Sequence, residues 1–130
     1  MIFSDAAIVA LTIWRENASG GYIGMQSVAN VIMNRTKSYK EDFYKVCTTH
    51  KQFSSMTVEG QGTAKWPDES DLSFITASGI AVAAVARTLS DITGGATSYY
   101  APSGMSNDEP PYWAASMAKT VTIAGQIFYK

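Results

Sequence analysis

At 130 residues the chain is the length of one domain, 1–130, large enough to bury a core of its own. Apolar residues make up 46% and charged residues 16%, which excludes a disordered chain. A net charge of −1 and a pI near 5.7 exclude the basic stripe of a nucleic-acid binder. They also provide no long-range attraction to an anionic surface, so any such surface must be held by short-range contacts. The lone Cys47 excludes an internal disulfide and reads as a small buried hydrophobe. No run approaches the roughly 20 apolar residues of a membrane span, so no membrane insertion is expected. A monomer is the expected state.

The first element runs from Ser4 towards Glu16. Ala6 to Trp14 is apolar at every position but Thr12, and a helix apolar all round belongs inside a protein. Ala6, Val9, Ala10 and Ile13 recur on one helical face, and Glu16 continues that stripe. The stripe puts a carboxylate on the last turn of a buried helix, just before Gly20-Gly21. Apolar surroundings disfavour an ionised carboxylate, which is how a general acid keeps its proton near neutral pH. The competing reading is an acid that reaches solvent at a helix end. The Asp5 within this run, with no basic region before it and Arg15-Glu16 after it, reads as no export signal.

Tyr22 to Arg35 predicts a second helix with Val28, Ala29, Ile32 and Met33 on its apolar face. Gln26, Asn30 and Asn34 form a polar stripe at i, i+4 and i+8. Such amides suit sugar hydroxyls and acetamido groups, because each both donates and accepts; they equally suit fastening a neighbouring loop. A short helix follows at Glu41 to Cys47. His50 is the only histidine and has no Cys or carboxylate cluster around it, so no metal site and no other cofactor is expected. Phe53 reads either as a core plug or as a sugar-stacking wall. Phe53 to Asp71 has loop composition and is long for a compact domain. It carries Glu59, Asp68, Glu69 and Asp71 as candidates for a second acid. It also carries Trp66, either lining a saccharide groove or pinning the loop to the core.

Leu72 to Ser90 predicts the third long helix, in which the alanines and Gly79 permit close helix approach. Asp91 to Ala96 is a turn, and Thr97 to Ala101 a strand ending at Pro102. Alternation along that strand sends Tyr99 and Tyr100 to opposite sides, one to pack and the other to face a ligand, with Tyr99 taken as the latter. Tyr112 to Met117 is a short helical turn. Thr120 to Tyr129 reads as two strands around Ala124-Gly125. Together these predict an α+β fold, a mainly helical lobe with a small antiparallel sheet and a cleft between them.

Several ordered blocks carry a resemblance. Trp14-x-Glu16, Tyr22-x-Gly24 and Ser27 to Arg35 resemble the opening of the cell wall hydrolases related to the spore-cortex-lytic enzyme SleB. Val46-Cys47 with Gln52-Phe53-Ser54, Thr93 to Thr97 with Tyr99 to Pro102, Pro111 to Trp113, and Ile123 to Tyr129 follow in the family's order. The resemblance implies a lysozyme-like fold and a peptidoglycan lytic transglycosylase with Glu16 as catalytic acid, its partner the glycan strand. Asn30, Asn34, Gln52, Ser54, Thr97, Tyr99 and Tyr100 are the expected binding or positioning residues. Muramidase hydrolysis and an inactive wall-binding protein of the same fold are the alternatives. Two departures stand out: Gly20 replaces a second Glu common in the family, and Ser98 stands where His is common. The expected setting is cytoplasmic accumulation with release to the wall, as in phage lysis, or secretion after removal of a leader.

Overall fold

A computed structural model describes residues 2–49, 53–56, 65–68 and 70–130, excepting the side chains of residues 2–4, Ser54 and Asp108. The helical body is built from α1 (Ile2–Asn17), α2 (Gly21–Tyr39), the short α3 (Phe43–Thr48) and α4 (Leu72–Val85). α1 packs against all three of the others, which is what its apolar character requires. Val9, Ala10, Thr12 and Ile13 are buried, and the Thr12 hydroxyl donates back to the Ile8 carbonyl at 2.7 Å. From α2, Met25, Val28, Ala29, Ile32 and Met33 complete the core with Phe43, Val46, Phe53, Ala77, Ile80, Ala81 and Ala84. Phe53 is 2% exposed, so it is a core plug and not a wall of the cleft.

The helix starts follow from side-chain capping. Asp42 accepts from the Lys45 amide to open α3, and Asp71 accepts from the Phe74 amide to open α4. α4 ends at Val85, short of the expected Ser90, because Arg87 adopts a left-handed conformation (φ 60°) that breaks the helix. Its alanines do allow close packing, but Gly79 does not take part: it is exposed, with open space where a Cβ would stand.

The sheet is three-stranded and antiparallel, with β1 (Ser98–Tyr100), β2 (Lys119–Ile123) and β3 (Gln126–Tyr129) in the order β1-β3-β2. β2 and β3 turn through Ala124-Gly125, both at positive φ. Tyr99 pairs with Phe128 and Tyr100 with Ile127. Short 3-10 turns at Pro102–Gly104, Ser106–Asp108 and Tyr112–Ser116 connect β1 to β2. Val31, Ala96 and Phe128 form a second apolar cluster between α2 and the sheet, and the Tyr99 ring touches both clusters. No described helix is long and apolar enough to cross a membrane.

Candidate active site

Glu16 lies half-buried on the last turn of α1, where the helical body meets the sheet. Both of its oxygens are held. The Ser55 hydroxyl donates to Oε2 at 2.7 Å, and the Tyr99 hydroxyl donates to Oε1 at 2.9 Å. Ser55 comes from the 3-10 turn Ser54–Met56, and Tyr99 from β1. Burial, then the negative charge of Glu16, push the Tyr99 phenol well above its ordinary value, so it remains a donor throughout the neutral range. Hydroxyls can also accept, so the same pair can hold the carboxyl group with or without its proton.

Arg35, from α2, is the nearby cation. It is buried, its Nε donates to the Thr97 carbonyl at 2.7 Å, and its guanidinium lies 4.9 Å from the centroid of the Phe53 ring. Burial lowers its pKa, opposed by Tyr39, Tyr99 and Glu16. Among the described acids, those that were candidates for a second catalytic group are engaged locally. Asp71 caps α4, and Asp68 accepts from the amide and hydroxyl of Ser70. Glu59 and Glu69 lie outside the described residues, as does His50. No group of three His, Cys, Asp or Glu side chains among the described residues is arranged to hold a metal ion.

The amide stripe is engaged within the protein. Asn30 is 1% exposed; its Nδ2 donates to the Ser90 carbonyl and its Oδ1 accepts from the Ile92 amide. Gln26 donates to the same Ser90 carbonyl. Asn34 donates to Asp91 Oδ2 and to the Ala96 carbonyl. All three fasten the loop that leads from α4 to β1; Asn30 is fully buried in that role, whereas Asn34 is half-buried and also borders an open groove.

Thr97 is tied into the frame by its backbone, donating to the Tyr129 carbonyl and accepting from Arg35. It borders an open groove of about 520 Å³ with Asn34, Lys37, Ser38, Gly95 and Lys130, a groove that Glu16 does not line. Tyr99 and Tyr100 do point to opposite sides, but neither is free of packing. Tyr99 stacks on Phe128 (centroids 5.4 Å apart) while reaching Glu16; Tyr100 joins Trp113 and Tyr129 in an aromatic cluster on the far face. The expected division into one packed ring and one ligand-facing ring is therefore corrected: the ring at the acid is also a core ring. Gln52 and the side chain of Ser54 lie outside the described residues.

Two participants escape sequence reading. Ser55 sits beside Ser54, but a single 3-10 turn has no periodicity to say which serine meets the acid. Asn17 is buried beside Glu16, and its Nδ2 donates to Gln126 Oε1 of β3 at 3.2 Å. A Cβ placed on Gly20 or Gly24 would lie 2.7 Å from the Asn17 side chain. Glycine at 20 and the amide at 17 thus go together: the space that a side chain at 20 would enter is filled by Asn17, which instead ties α1 to the sheet.

Fold and acid together define a class, an α+β enzyme with its carboxyl group at the seam between a helical body and a small sheet. The chain belongs to the cell wall hydrolase family, whose model matches residues 19–129. That membership makes it a peptidoglycan-cleaving enzyme. The matched span begins at Ser19, so Glu16 lies just outside it. The fold is that of the catalytic domain of the germination-specific lytic transglycosylase SleB from Bacillus anthracis (TM-score 0.73, 24% identity, covering 97% of this chain and 93% of that one). The catalytic domain of the Bacillus cereus SleB protein matches with the same TM-score and identity, covering 97% of this chain and 89% of that one. No curated protein matches the chain.

Proposed function

We propose that the chain is a lytic transglycosylase, breaking the bond between N-acetylmuramic acid and N-acetylglucosamine with Glu16 as its one acid and base. The observation that carries this reading is the grip of two hydroxyls on a single carboxyl group, Ser55 on one oxygen and Tyr99 on the other. In the first step Glu16 protonates the glycosidic oxygen as positive charge develops on the muramic ring, in an oxocarbenium-like transition state. In the second, the carboxylate takes the proton of the muramic C6 hydroxyl, whose oxygen closes a 1,6-anhydro ring on C1. No water enters. One carboxyl group serves both steps, and the local engagement of Asp68 and Asp71 favours this route over two-carboxylate hydrolysis. Both donors come from the same chain as the acid, so a monomer is sufficient.

The test is Glu16→Gln, which keeps the shape and removes the transferable proton. Lysis of purified walls is expected to fall by roughly 100- to 10,000-fold, with the melting temperature preserved. Comparable lysis by the variant would overturn the assignment. A mass spectrum of the digested glycan distinguishes the routes: anhydro-muramic ends support transglycosylation, reducing muramic ends mark a muramidase, and uncut glycan marks a wall-binding protein.

A further inference from the structure

Trp66 is not a pin between loop and core. It is 69% exposed, although indole is among the most costly side chains to leave in water. It is also not loose. The Arg15 guanidinium lies 4.5 Å from the centroid of its ring, and Arg15 Nε donates to the carbonyl of the preceding Lys65 at 2.8 Å. The same guanidinium donates through Nη1 to the Ser55 carbonyl at 3.1 Å and contacts the Met56 sulfur. Ser55 is the residue whose hydroxyl holds Glu16, and Glu16 is the next residue after Arg15 on α1.

From this arrangement we infer that Trp66 is a saccharide platform flanking the acid, stacking the apolar face of an N-acetylhexosamine ring on its open side. The inference rests on the glycan-cleaving reading above. The geometry supplies what such a platform needs. One face of the indole is backed by a cation, which fixes the ring's orientation before the ligand arrives, so less conformational freedom is lost on binding. The other requirement is a fixed relation to the reacting bond. Arg15 provides it, because a single side chain braces both the backbone before Trp66 and the backbone of the serine that orients the acid. The charge on the chain gives no long-range pull towards the wall, so affinity has to come from contacts of this kind.

The experiment compares Glu16→Gln with Glu16→Gln/Trp66→Ala and Glu16→Gln/Trp66→Phe for binding to purified peptide-free glycan strands, followed by sedimentation, with a thermal melt of each. The Ala variant is expected to bind roughly tenfold more weakly at an unchanged melting temperature, and the Phe variant to recover most of that loss. In the active protein, Trp66→Ala should raise KM by more than it lowers kcat. Equal binding by all three proteins overturns the platform while leaving the role of Glu16 intact. A marked drop in melting temperature for both Trp66 variants also overturns it, since it makes the ring a structural pin. If the wild-type chain cuts glycan but Glu16→Gln does not bind it, the platform fails alone; if the wild-type chain neither cuts nor binds it, the glycan reading fails with it.

Discussion

Tyr99 carries two duties in one side chain, and substitution can separate them. Its ring stacks on Phe128 and touches both apolar clusters, while its hydroxyl ends on Glu16. Tyr99→Phe keeps the ring and deletes the donor. A hydrogen bond to a charged group is worth about 1.5–3 kcal/mol, so glycan turnover is expected to fall by roughly 10- to 100-fold with little change in the melting temperature. Tyr99→Ala removes the ring as well and should cost about 3–5 kcal/mol of stability in a urea melt. Full activity of the Phe variant would show that Ser55 alone orients the acid. The sequence makes the position of Glu16 legible, because an apolar stripe leads directly to it. It does not make the partners legible: Ser55 and Tyr99 lie 39 and 83 positions away, and no local pattern encodes a contact at that separation.

At the scale of elements, the loop from α4 to β1 is a folded unit. Asp91 organises it, accepting from the amide and hydroxyl of Thr93 and from the Gly95 amide, while Asn30 and Asn34 hold it from α2. Burial pushes the Asp91 carboxyl up, but these hydrogen bonds outweigh it and hold the pKa below its ordinary value. Asn30→Ala would remove one of the two side-chain donors to the Ser90 carbonyl, leaving Gln26, and would leave the Ile92 amide without its acceptor. The expected loss is about 1–3 kcal/mol, read by denaturant melts, with hydrogen exchange speeding first at residues 90–96. An unchanged melt would mean water replaces the amide at no cost. The periodicity of α2 reveals which amides share a stripe, but a stripe says nothing of what faces it, and here a loop does. Periodicity likewise overruns the end of α4. Ala86 and Leu89 continue the apolar pattern, yet the chain must turn at Arg87 to bring Ser90 under Asn30.

Across the whole molecule, Cys47 makes stability depend on alkali. It is fully buried where α1, α2 and α3 meet, and burial pushes its thiol from 9.0 up to about 12, against the smaller opposing effects of Thr12 and Arg35. The folded state therefore keeps a proton that the unfolded chain releases above pH 9. The thiol's contribution is intact below that pH and is lost as pH rises towards 12, by about 4 kcal/mol in all. Urea melts of the wild type and Cys47→Ala should converge in stability across this window, whereas parallel pH profiles would refute the linkage. A different consequence follows from the way the acid is held. Neither of its donors is a neighbour in the chain, and among the described strands the one that bears Tyr99 is paired with β3, which comes last in sequence yet lies in the middle of the sheet. Helices can form from local information, but the two hydroxyls converge on Glu16 only after the turn, the loop and the closing strand have docked. On the function proposed above, cutting power is conferred by completion: a fragment, a nascent chain or a half-melted molecule carries the acid and remains blunt.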